Sequence, residues 1–390
     1  MNFFRKIYAL ILVSCSLYSG DNYLYLTNPS TGSIVVFNID NPASPTYITT
    51  NTNPNLMDPL VLGRFFGNHL YTANDSGMSF SIFDINNLQN PVYLNSVMNA
   101  MFVNATGVVG IGNYLYVSSL GNNQILIYDA SVDPVNPTYV STFTSPGNFN
   151  GPGGFARYGN YLYVSNNAAS NMNVITVLDV SNPASPAFVT NISNANVSGP
   201  TGITVKGTYF YVANTGGGDL SVFNLDPNPL NPTYIMNFGM GNVAIPQDIT
   251  VFDTYLYVTQ AGQPGLAIFD LTNPTNPTFL TTFMNPNLTD TAGVAYVTYA
   301  SEGVVLVSKY ESDIYQKGCY VEVSWSASSS SPVRYSIVRD GKEVGSVSAS
   351  TLSFNDFGTT CCGTAYNYIV YAVDASGTQS QVGSGSITVQ

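Results

Sequence analysis

Charge is scarce in this sequence of 390 residues, of which 8 % are Asp, Glu, Lys or Arg. An ordinary globular protein has about 25 %. Ten Lys and Arg against 22 Asp and Glu leave a net charge of −12 at pH 7. The basic footprint that nucleic acid requires is therefore missing, and no nucleic-acid partner is expected. A single histidine, His69, starves most hydrolytic, redox and zinc chemistry of its usual residue. Cysteine is absent between Cys15 and Cys319. What the chain has instead is apolar and aromatic: 45 % hydrophobic residues, with 28 Tyr and 21 Phe. That composition excludes disorder, and the length fits two or three domains.

The chain opens MNFFRKIYALILVSCSLYSG, with Arg5 and Lys6 ahead of an apolar run from Ile7 to Val13. The run is too short for a bilayer-spanning helix, which needs about 20 residues, and reads as a secretory signal over residues 1–20. Cleavage after Ser16 is one processing route. Leu12-Val13-Ser14-Cys15 also resembles a bacterial lipobox, which would lipidate Cys15 and give a membrane contact through the anchor alone.

Six segments then repeat: DNYLYLTN, GNHLYTAN, GNYLYVSS, GNYLYVSN, GTYFYVAN and DTYLYVTQ. Their second aromatics are Tyr25, Tyr71, Tyr116, Tyr163, Tyr211 and Tyr257. A second phrase follows each at near-constant distance, such as ITVLDVSNPASPAF, with Asn38, Asp84, Asp129, Asp179, Asn224 or Asp270 at one place. These short β-branched and aromatic runs, bounded by Gly, Asn, Asp and Pro, predict strands. Four strands fit in each repeat, the content of one β-propeller blade. GVAYVTY at 293–299 reads as an innermost strand without a repeat of its own. Pairing it with the first repeat closes six blades; VVLVS at 304–308 leaves a seven-bladed ring as the alternative.

On these phrases the chain resembles the YVTN and LVIVD families of propeller repeats, over about residues 21–299. The resemblance implies an exported or surface-attached protein and no catalytic residues. The fold expected is all-β: a propeller over 21–303 and a small β-sandwich over 304–390. The second module resembles a fibronectin type III domain, with Trp325 as its buried tryptophan and Tyr366 at a tyrosine corner. Cys319, Cys361 and Cys362 all lie there, and export favours a disulfide from Cys319 to Cys361 or Cys362.

Residues 21–299 hold fourteen Asp, no Glu, and only Arg64, Arg157 and Lys206 as cations. The Asp residues that recur at one repeat position are expected to cap turns before the prolines. Non-repeated Asp58, Asp248 and Asp290 are the better functional candidates. Asp248 and Asp290 fall beside predicted innermost strands, where a cation such as calcium is conceivable; no other cofactor is expected. His69 stands where other repeats have the first Tyr of YLY, and GNFNGPGGF at 147–155 reads as a blade connection. Asn-x-Ser/Thr sequons occur at Asn74, Asn104, Asn191, Asn196 and Asn287.

A surface so poor in charge is suited to extended contact. The expected function is that of an exported, non-enzymatic binding or structural protein at the cell surface. Its expected partners are a protein or glycan, or itself in a filament or layer. The alternative is a propeller enzyme acting on a lactone or glycan, or a carbohydrate-binding propeller.

Overall fold

The computed structural model describes residues 22–65, 69–167, 173–261, 264–298, 304–312, 317–325, 333–348, 353–356 and 364–389. The expected export signal and Cys15, and the partner cysteines Cys361 and Cys362, lie outside these residues. Among them the only helical element is one short turn, Pro29–Thr31. Everything else of regular structure is strand.

Six four-stranded antiparallel sheets follow the six repeats. In the second sheet the inner strand is Pro59–Phe65, followed outward by His69–Asn74, Ser79–Asp84 and Val92–Met98. The third to sixth sheets have the same order, with inner strands Ala105–Ile111, Pro152–Tyr158, Pro200–Lys206 and Pro246–Phe252. The first sheet differs. Its inner strand, Val294–Thr298, comes from the far end of the repeat region and pairs antiparallel with Asn22–Asn28. Val304–Ser312 starts no further repeat but pairs with Lys317–Trp325.

Three interactions recur from sheet to sheet. First, the inner strands approach backbone to backbone. A Cβ on Gly107 would fall within 3 Å of the Gly153 carbonyl, and one on Gly293 within 3 Å of that of Leu60. Second, hydroxyls near the end of the second strands donate to a carbonyl of the next inner strand or just ahead of it. Thr27 reaches Leu60, Ser118 reaches Gly153, Ser165 reaches Thr201 and Thr259 reaches Ala292, at 2.5–2.9 Å. Where that residue is Ala213, Thr201 on the inner strand of the same sheet donates instead to Pro246 of the next sheet at 3.0 Å, and Thr106 makes the same bond to Pro152 beside that of Ser118.

The third interaction joins the two halves of the repeat. Tyr25 donates to the Leu88 carbonyl, Tyr71 to Pro134, Tyr116 to Pro183, Tyr163 to Pro229 and Tyr211 to Pro274. Tyr257 donates to Pro42 in the first sheet. Each acceptor lies in the proline-rich turn of the next sheet, so the YLYV phrase of one repeat is bonded to the NPxxP phrase of its neighbour. Between the sheets, apolar clusters such as Phe80, Ile82, Leu115, Val117 and Tyr128 bury their side chains almost completely. These sheets form a repeat β-propeller.

The C-terminal residues form two further sheets. Val304–Ser312, Lys317–Trp325 and Ser353–Asp356 make one; Lys342–Ser348, Arg334–Arg339, Thr364–Val373 and Gln379–Val389 make the other. Val321 and Val323 of the first share a core with Tyr335, Ile337, Tyr368 and Val370 of the second. Asp356, 4 % exposed, accepts from Arg339 at 2.6 Å and from the Tyr368 hydroxyl at 2.8 Å. The Arg339 guanidinium also lies 5.2 Å from the centre of the Tyr366 ring.

Candidate functional site

The inner strands all start at one end of the propeller. The connections that enter them, and those between second and third strands, therefore gather at the same mouth. Asparagine at the end of the second strands fixes several of these connections. Asn74 donates to Ser79 and Ser81, Asn166 to Thr176, and Asn214 to Asp219 and Ser221. Asn74 is thereby fully buried, which removes its sequon from the surface.

A small cavity of ≈ 120 Å³ lies among the inner strands at this mouth, with Thr106, Thr201, Gln247, Asp248, Asn167 and Leu60 in its wall. Asp248 takes the inner-strand place held by Gly107, Gly154 and Gly202 in the preceding sheets. Its Oδ1 accepts from the Ile249 N–H at 2.9 Å and its Oδ2 from the Val294 N–H at 3.0 Å. The carboxylate thus ties the sixth sheet to the first. Burial pushes it up to about 7, against the opposing pull of those two N–H groups.

Asp290 is half-buried, and among the described residues no three His, Cys, Asp or Glu side chains gather where they could hold a metal ion. Asp58 comes instead against Asp75, which the sequence reading did not single out. Burial raises the Asp75 carboxyl, and the charge of Asp58 adds to the rise, while a hydrogen bond from Asn104 opposes it. The Ser76 hydroxyl donates to Asp58. His69 opens the second strand of its sheet, opposite Asp84. The recurrent acids do cap turns: Asp84, Asp129, Asp179 and Asp270 each accept from the N–H two residues on, at 2.7–2.8 Å. The glycine-rich loop leads into the inner strand Pro152–Tyr158, and Gly153 and Gly154 line the cavity.

Methionine marks this mouth more than any acid does. Met57, Met78, Met98, Met101, Met240 and Met284 all lie on its connections or at their margin, with Met98 73 % and Met240 74 % exposed. Four of them are held close to one another. The Cβ of Met57 lies against Gly77, and the carbonyl of Met78 accepts from Asn99, next to Met98. The side chain of Asn99 in turn holds the Met101 N–H at 2.9 Å. Nothing in the sequence pattern distinguishes these methionines from core residues; only their exposure does.

Taken with this geometry, the comparisons define the class as a propeller of repeats. The LVIVD repeat family matches residues 155–193 and 245–285. A protein from Lactobacillus plantarum superposes with a TM-score of 0.53 at 13 % identity, over 71 % of this chain and 99 % of its own. A chain of the nidogen/laminin complex gives 0.53 at 13 %, over 70 % and 98 %. The periplasmic gluconolactonase of Pseudomonas aeruginosa gives 0.50 at 14 %, over 72 % and 99 %. Similarity at this level concerns the fold. No curated protein matches the chain.

Proposed function

We propose that the chain is an exported, non-enzymatic binding protein of the cell surface: a six-bladed propeller carrying a fibronectin type III-like module. The observation that carries this reading is the methionine-lined mouth. Flexible, polarisable thioethers adapt to apolar partners, and their exposure on one end of a rigid ring is a contact surface without built-in chemistry. The acids support the same reading, since the recurrent ones cap turns and Asp248 is spent on two backbone N–H groups. Six sheets closed by the pairing of Asn22–Asn28 with Val294–Thr298 support six blades. The order of three and four strands around one core supports the fibronectin-like module.

The axial cavity with Asp248 in its wall favours one second reading, hydrolysis of a lactone, the activity for which the Pseudomonas aeruginosa structural neighbour is named. Its ≈ 120 Å³ is small for that purpose; pockets for small molecules begin at about 300 Å³. The deciding experiment compares the wild-type chain with M57E/M78E/M98E for binding to intact cells of the source, with gluconolactone hydrolysis assayed alongside. Loss of cell binding by the variant, with no hydrolysis above background, is expected. Equal binding by both chains, or turnover of the lactone, sinks the proposal.

A further inference from the structure

Each propeller sheet ends in an outer strand with no neighbour on its far side among the described residues: Thr46–Thr52, Val92–Met98, Thr138–Thr144, Ala187–Ser193, Thr233–Phe238 and Thr278–Phe283. None of these strands contains a charged residue, a proline or a glycine. Free edges in natural proteins are usually blunted by lysine, proline or inward-pointing charge. Here a proline stands just ahead of each strand, at Pro45, Pro91, Pro137, Pro186, Pro232 and Pro277, and each carries one bulge, as between Val36 and Phe37 or between Ile127 and Tyr128 of the facing strand. Beyond the bulge the strand continues in regular register, for instance over Thr49–Thr52 and Ser141–Thr144. Apolar side chains stand exposed along the edges, among them Leu94, Val140, Phe188 and Leu280.

The charge lies elsewhere. Asp84, Asp129, Asp179 and Asp270 close the third strands at the end opposite the mouth, each facing the first residue of its outer strand, and Asp58 and Asp75 lie at the mouth itself. Between those two ends the outer strands themselves carry no charge, in a chain whose net charge is −12. Copies repel one another least when they approach edge to edge.

We infer that these outer strands pair with the outer strands of a second copy of this chain. Antiparallel pairing of two identical edges about a two-fold axis satisfies the donors and acceptors of both. It needs no complementary charge, and the edges offer none to a charged foreign strand. Six such edges around one ring permit more than one contact per copy, and so extension into a chain or layer. The inference goes beyond the binding function proposed above and names a second copy of the chain as the partner.

Sedimentation velocity of the full chain over a range of concentrations tests it. Two variants carry charge at the exposed first residue of all six edges: T46K/V92K/T138K/A187K/T233K/T278K and its six-glutamate counterpart. The wild type is expected to associate, and both variants to associate at least tenfold more weakly while keeping the wild-type far-UV spectrum. Val92, Thr138, Ala187 and Thr278 face Asp84, Asp129, Asp179 and Asp270, so the lysine variant keeps a similar Tm and the glutamate variant melts lower. Opposite responses to lysine and glutamate would report net charge rather than edge pairing and would overturn the inference. So would a wild type that stays a single chain at its solubility limit, or variants that associate as it does. Both variants retain the methionine mouth, so their binding to intact cells separates failure of the edge pairing from failure of the binding function.

Discussion

The hydroxyl of Tyr257 donates to the carbonyl of Pro42 at 2.9 Å, across 215 residues of chain. The five equivalent bonds span 63 to 67 residues. The closing bond is thus the same interaction as the others, made once between the last repeat and the first. It explains why the tyrosine of one phrase and the proline turn of the other are copied together: each is half of a contact between neighbouring sheets.

Removing that hydroxyl leaves a partly buried carbonyl without its donor. Y257F should lower stability by about 1 kcal/mol, the usual size of such a bond. Y163F, which breaks an equivalent bond inside the array, should cost a similar amount. Urea unfolding of the two variants checks this; a loss confined to one of them would show that the six contacts are not equivalent.

The same tyrosines predict alkaline instability. Burial raises Tyr71, Tyr116, Tyr163, Tyr211 and Tyr257 above the ordinary tyrosine range. An unfolded tyrosine gives up its proton near pH 10, whereas these hold theirs, so the native state binds more protons above that pH. Their stabilisation is complete below about pH 10 and is lost as the pH rises further. Tm measured from pH 8 to 12 should be flat and then fall steeply, with tyrosinate absorbance rising together with unfolding.

Asp248 works in a lower window. An unfolded aspartate ionises near pH 4, whereas burial raises this one to about 7. Its contribution is complete below about pH 4 and is lost as the pH rises through 7. The Tm of the wild type relative to D248N should therefore decline between pH 4 and 8. A constant difference between the two would show that the carboxylate is ionised throughout.

Asn51 offers a gain. Its Nδ2 is buried without a partner, at the outer-strand place where the next three sheets have Val97, Phe143 and Ile192. A buried, unsatisfied polar group costs about 1–3 kcal/mol. N51V should stabilise the chain by about 1 kcal/mol, read as a higher urea midpoint at unchanged slope.

The strands and their order are legible in the sequence because each serves its own repeat and is copied with it, and the strand within 293–299 because it is a copy left over without a repeat. The contacts between repeats are not. Tyr71 and Pro134 belong to different copies, and periodicity alone does not say which copies meet. Asp248 stands out as an exception to the repeat, but its partners, the N–H groups of Ile249 and Val294, are backbone and leave no residue signal. Asp75 escapes notice because its approach to Asp58 depends on how two connections fold together. The methionines escape for the opposite reason, since an apolar residue is expected inside until its exposure is seen.

The first sheet also decides how the ring bears a load. Asn22 faces Thr298 at one end of the shared pair, and Leu26 faces Val294 at the other. Tension applied between residues 22 and 298 therefore acts at the same end of two antiparallel strands. It parts their hydrogen bonds one after another, as a zip opens, instead of shearing them all at once. A propeller tethered through those two points yields at its seam first, while the remaining five sheets, each formed from one continuous stretch of chain, stay whole.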